Sequence, residues 1–203
     1  KHIHTGEGGV ITTNDDFLAE RCQLIRNHGE VAAEAKGVTD LTNTYGQNYR
    51  LSEIQAALGI EQLKKLPRLI NQRLENAAYL AEKLGSIAGI KPPLVEAGSK
   101  HVYYVQPFKF STDVFGIHRN QFLEAIKAEI PSAVLREDTP LVGGGYVRPL
   151  YLQPLYQKRA ASCSFNCPKY EGTVSYEKGL CPVTERMHFE ELFTHEYMRP
   201  GMS

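Results

Sequence analysis

The sequence has no surplus charge of either sign: 23 Lys plus Arg balance 23 Asp plus Glu across 203 residues. With no basic excess and no run of like charges, it lacks the electrostatic footprint of a nucleic-acid binder or of a protein held on an anionic membrane surface. No apolar stretch approaches the about 18 residues that suggest a membrane span. No signal-peptide pattern opens the chain. Cysteine is sparse. Cys22, Cys163, Cys167 and Cys181 are too few and too scattered for the disulfide framework of a small secreted domain. Cys163 and Cys167, with Cys181 and His188 downstream, do not follow a common paired zinc spacing. Reduced structural thiols in a cytoplasmic protein, with no metal, are the expectation.

What remains is an ordinary globular composition, 42% apolar and 23% charged, sufficient for one large domain or two small ones. The chain opens on Lys1 rather than Met, and its first nine residues read as the interior of a fold. Further residues upstream are therefore expected.

Gly9 to Thr13 has the β-branched character of a strand. Asn14 and Asp15 supply a turn and a helix N-cap. A helix is expected from Asp16 to Asn27, ended by His28-Gly29 with glycine at the C-terminal cap. Glu30 to Gln47 shows no periodicity and reads as a long loop of the kind that often carries function. Ser52 and Gln55 then form a capping box. Leu51, Ile54, Leu58, Leu63 and Leu66 recur at helical spacing, which resumes after Pro67 as far as Leu84. This predicts two helices, or one kinked at Pro67, with a boundary between structural units inside the stretch. Strands are expected at Val102 to Phe110 and Ser132 to Leu135, and helices at His118 to Ala128 and Val183 to Leu192. Pro140 to Lys158 should be irregular. Strand and helix in alternation argue for an α/β or α+β unit.

Two segments could carry chemistry. In Lys1-His2-Ile3-His4-Thr5-Gly6-Glu7-Gly8-Gly9, a lysine precedes a glycine cluster without the Gly-Lys-Ser/Thr of a phosphate loop. On residue types alone it is an exposed lysine ahead of a turn. In Gly46-Gln47-Asn48-Tyr49-Arg50-Leu51-Ser52, a polar loop runs into a capped helix start. That positive end, with the planar donor fork of Arg50, suits an anion. It equally suits an arginine paired with a nearby acid.

Taken together, Lys1 to Asp15, Arg26-Asn27-His28-Gly29 and Gly46 to Leu66 resemble the DegT/DnrJ/EryC1/StrS aminotransferases in content, order and spacing. The likeness continues more weakly through Tyr103-Tyr104, Gly116-Ile117-His118-Arg119 and Val147 to Pro154. It implies an α/β fold of the aspartate-aminotransferase type (fold type I). Residues 1–66 would end the large domain that binds pyridoxal 5'-phosphate (PLP), and residues 67–203 would form a small α+β domain.

Carried over residue by residue, the resemblance makes Lys1 the lysine that forms a Schiff base with PLP. Relatives that dehydrate sugars carry histidine there. It makes Asn48 a contact to the PLP phosphate of the partner subunit, with Arg50 supporting the same phosphate or the substrate. His28 and Tyr49 become substrate-side residues. The implied enzyme is a homodimer with a shared active site, moving an amino group from glutamate to a nucleotide-linked keto sugar in amino-sugar or lipopolysaccharide biosynthesis. Dehydration of a sugar, transamination of a cyclitol, and a non-catalytic fragment are the alternatives. In the family, the acid that pairs with the pyridine nitrogen and the aromatic that stacks on the ring lie upstream of the lysine, so a polypeptide starting at Lys1 is expected to be inactive alone.

Overall fold

The computed structural model describes residues 1–29, 33–42, 44–130, 141–159, 169, 172 and 174–201. It divides into two compact units, Lys1–Arg68 and Leu69–Ser203.

In the first unit, α1 (Asp16–Arg26) begins where Asp15 accepts the Leu18 N–H at 3.0 Å. This is the expected cap, which supplies an acceptor to an orphan amide. The helix buries Leu24 completely. It ends where the Gly29 N–H returns to the Leu24 carbonyl at 2.7 Å, with Gly29 at φ +84°. A left-handed residue at this point strongly favours glycine. The expected loop after it holds one short helix, α2 (Ala33–Lys36). Arg21 spans that loop, donating to the carbonyls of Asp40 (3.1 Å) and Thr42 (2.9 Å). Hydrogen bonds from Thr42 and the charge of Arg21 hold the Asp40 carboxyl below its ordinary range. The strand expected at Gly9 to Thr13 does not form. Residues 9–13 pair with no neighbour among the described residues, and Val10 and Ile11 are 82% and 75% exposed. Strand propensity needs a ladder to act on.

The long helical stretch is one helix, α3 (Glu53–Gly85), with Pro67 inside it. Pro67 lacks the N–H that would bond the Leu63 carbonyl, and the helix continues through it.

The second unit is built on an antiparallel sheet of order β1-β2-β4-β3, formed by β1 (Ile90–Lys91), β2 (Gln106–Phe110), β3 (Val142–Gly144) and β4 (Leu192–His195). β2 alternates in burial: Gln106, Phe108 and Phe110 are buried while Lys109 is exposed. That is the period of a sheet with one covered face. Ile90, Phe108, Phe110, Leu123 and Phe193 form its core, with Leu84, Phe115 and Phe122 packed against them. Among the described residues its helices are α4 (Thr112–Phe115), α5 (Arg119–Glu129), α6 (Pro154–Lys158) and α7 (Pro182–Arg186), besides the C-terminal part of α3.

The strand expected from Val102 is confined to Gln106–Phe110. The region expected to be irregular from Pro140 holds β3, a 3₁₀ turn (Leu150–Leu152) and α6. The helix expected through Leu192 gives way to a π turn (Met187–Glu191) and then to β4. The strand expected at Ser132 to Leu135 and the cysteines Cys163 and Cys167 lie outside the described residues. Cys22 and Cys181 are free thiols.

Candidate active site

Both sequence segments singled out for chemistry belong to the first unit. Residues 1–9 fold around glycine: Gly6 lies at φ +85°, and a Cβ on Gly8 would stand 2.8 Å from Thr5 Oγ1 and 2.9 Å from Leu51 Cδ1. Thr5 Oγ1 donates to the Glu7 carbonyl at 3.0 Å. The same carbonyl accepts from Gln55 Nε2 at 2.8 Å, across 48 residues of sequence. Gln55 is also the third helical residue of the expected capping box. Its Oε1 accepts from the Ser52 N–H (3.1 Å) and the Ser52 hydroxyl (3.0 Å). Thr5 Cγ2 lies over Gly59, where a Cβ would stand 3.3 Å away. Lys1, at the head of this turn, is exposed.

The Asn48-Tyr49-Arg50 segment is placed by backbone, through a contact that spacing does not reveal. Asn27 and Asn48 form an isolated antiparallel bridge. Around it, the Gln47 N–H donates to the Ile25 carbonyl (2.9 Å), the His28 N–H to Gln47 (3.1 Å) and the Tyr49 N–H to Arg26 (3.1 Å). Approach is so close that a Cβ on Gly46 would stand 1.8 Å from the Gly29 nitrogen. His28 takes φ +65° to make the turn, a conformation rare for a residue with a side chain.

His28, Asn48, Tyr49 and Arg50 thus gather at the end of α1, all four side chains exposed. Asn48 Oδ1 accepts from the Arg50 N–H at 3.4 Å. Arg50 has no carboxylate partner among the described residues. A cleft of about 890 Å³, lined by Val10, Ile11, Ile25, Arg26, Tyr49 and Arg50 among others, opens beside it.

As a donor set these residues fit PLP. A primary amine suits an aldehyde, while an amide and a guanidinium suit a phosphate dianion. The sequence profile of the DegT/DnrJ/EryC1/StrS aminotransferase family matches residues 1–192. The chain belongs to that family. The family is one of PLP-dependent aminotransferases of fold type I, with nucleotide-sugar and cyclitol aminotransferases among its members.

Among individual relatives, UDP-4-amino-4,6-dideoxy-N-acetyl-beta-L-altrosamine transaminase of Helicobacter pylori is 37% identical over 107 residues, 51% of this chain and 28% of that protein. L-glutamine:2-deoxy-scyllo-inosose aminotransferase of Micromonospora echinospora is 33% identical over 148 residues, 69% of this chain and 35% of its own length. Of solved structures, Helicobacter pylori PseC, an aminotransferase involved in the biosynthesis of pseudoaminic acid, superimposes with a TM-score of 0.60 at 27% identity. That superposition covers 96% of this chain and 45% of PseC. The chain spans less than half the length of the curated relatives it matches.

Proposed function

We propose that this chain is the lysine-bearing part of an aminotransferase that moves an amino group from glutamate to a nucleotide-linked keto sugar. Lys1 is its catalytic residue. The observation that supports the reading is the family match, which spans residues 1–192 and so takes in both Lys1 and the Asn48 corner.

When bound, PLP supplies an electron sink for the carbon that gains or loses nitrogen. The chain's own residues hold and move protons. An amine attacks a carbonyl only when unprotonated, and its ordinary pKa is about 10.4. With PLP bound, Lys1 Nζ would be the base that carries a proton between the two reacting carbons. Asn48 and Arg50 bind the phosphate, by family likeness that of the partner subunit, so the working enzyme is a homodimer. His28 and Tyr49 face the substrate. Residues 1–66 form the end of the large domain, and the rest of that domain covers Val10, Ile11, Phe17 and Leu18, all at least half exposed.

A cyclitol ketone is the second reading. The scyllo-inosose aminotransferase matches 69% of this chain, whereas the nucleotide-sugar transaminase matches 51%. The test is amination by the full-length protein with PLP and glutamate, offered a nucleotide-linked keto sugar or a keto-cyclitol. Turnover of the nucleotide sugar, lost in Lys1→Ala, is expected. Turnover of the cyclitol alone would move the assignment to the second reading, and turnover that survives Lys1→Ala would overturn both.

A further inference from the structure

We infer that Gln55 is a positioning residue for Lys1, the start of α3 setting through one carboxamide where the lysine segment stands. This rests on the function proposed above.

The helix cap alone does not explain why position 55 is glutamine. At the third position of a capping box glutamate and glutamine serve alike, because only an acceptor is needed. Here the acceptor side of Gln55 is committed to Ser52, through its N–H (3.1 Å) and its hydroxyl (3.0 Å). The donor side is therefore forced outward, where the Glu7 carbonyl takes it at 2.8 Å. Flipping the amide would set N–H₂ against the Ser52 N–H and oxygen against the Glu7 oxygen, so the network fixes its orientation. Glutamate would keep the cap and set a carboxylate oxygen against a carbonyl oxygen. Glutamine alone meets both demands.

The clamp acts where the lysine segment is weakest. Gly6 at φ +85° and Gly8 flank Glu7, and glycine gives a chain many conformations to lose. Besides Gln55, Glu7 is held by Thr5, two residues away, a bond that travels with the turn. The bond from Gln55 ties the turn to a 33-residue helix. Small displacements of a reacting group cost rate steeply.

The test compares Gln55→Glu and Gln55→Met with the full-length parent. Both are expected to retain helix content. In the cofactor-free protein both should raise hydrogen exchange in residues 1–9 and leave residues 69–85 of α3 unchanged. With cofactor, kcat falls on the order of five- to tenfold, the cost of one hydrogen bond. The deficit of Gln55→Glu narrows as pH falls, because a protonated carboxyl regains an O–H donor for Glu7. Gln55→Met keeps its deficit at every pH.

Unchanged exchange and kcat in both variants, with Lys1→Ala inactive, would overturn the positioning role and leave the proposed function standing. A deficit in Gln55→Glu that ignores pH would also overturn it. Full activity in Lys1→Ala would remove the proposed function and this inference with it. Should Gln55→Glu fail to fold, exchange at residues 1–9 in Gln55→Met decides the clamp in the same way.

Discussion

Gln106 and His195 stand directly opposite each other on β2 and β4, and each buries a polar atom, Oε1 and Nε2, that has no partner among the described residues. Gln106 Nε2 donates to the Ala77 carbonyl at 2.9 Å, and His195 Nδ1 accepts from the Tyr197 N–H at 3.3 Å. The second bond makes Nδ1 the unprotonated nitrogen, so Nε2 carries the hydrogen of the neutral ring. Burial pushes this imidazole down to about 4.

The unfolded chain titrates His195 at an ordinary value of about 6.5, above the folded value. Between those values the unfolded state binds more protons. Stability is therefore full above pH about 6.5 and declines as pH falls toward about 4. The full contribution is on the order of 3 kcal/mol. Denaturant unfolding of wild type and His195→Gln across this window should show the variant losing less stability as pH drops. Parallel curves would contradict the assignment of a neutral buried imidazole.

Arg119 anchors the π turn, and removing it should unfold that corner. It is 3% exposed, and its guanidinium donates to the carbonyls of His188 (3.1 Å), Phe189 (2.7 Å) and Leu192. No carboxylate pairs with it among the described residues, and burial lowers its pKa. Arg119→Met would take the guanidinium from the part-buried carbonyls of His188 and Phe189, while the Leu192 carbonyl keeps the Gly145 N–H, and should cost roughly 3 kcal/mol. Urea denaturation measures the loss. A cost below about 1 kcal/mol would mean water replaces the guanidinium at little expense.

Gly46→Ala should release the Asn48 corner. A Cβ there would stand 1.8 Å from the Gly29 nitrogen and 2.0 Å from the His28 carbonyl carbon, so the Asn27–Asn48 bridge must open. Faster hydrogen exchange at residues 25–29 and 46–49 is the expected outcome, with weaker cofactor binding. Exchange equal to that of the parent would show that the bridge does not hold the corner.

Arg50→Ala should weaken PLP binding by about ten- to a hundredfold, the range of a charge-assisted hydrogen bond. If the corner serves the partner's cofactor, mixing inactive Lys1→Ala with inactive Asn48→Asp restores activity through heterodimers that hold one intact site. Mixtures that remain inactive would place both residues in one subunit's site.

Much of this was legible in the sequence because it depends on neighbours. Asp15 and the Ser52–Gln55 box cap their helices as expected, since a cap is a bond to an amide two or three residues on. The long-range pairings were not legible. The Asn27–Asn48 bridge and the Gln55–Glu7 clamp join residues 21 and 48 apart, and nothing in local propensity specifies either. Glutamine in place of glutamate at the cap, and glycines at both 29 and 46, were the available signals. β4 was lost for a related reason. Leu192 to His195 continues the apolar pattern of the turn before it, and its strand identity comes from β2 and β3 on either side. Residues 9–13 show the reverse, strand formers without a ladder.

The most direct test of the account is the position of the covalent bond. The full-length protein is incubated with PLP, reduced with borohydride and digested, and the pyridoxyl group is located by peptide mass spectrometry. The account predicts that group on Nζ of Lys1, and none on any peptide of Lys1→Ala. Label on another lysine, with the Lys1 peptide unmodified, would contradict it.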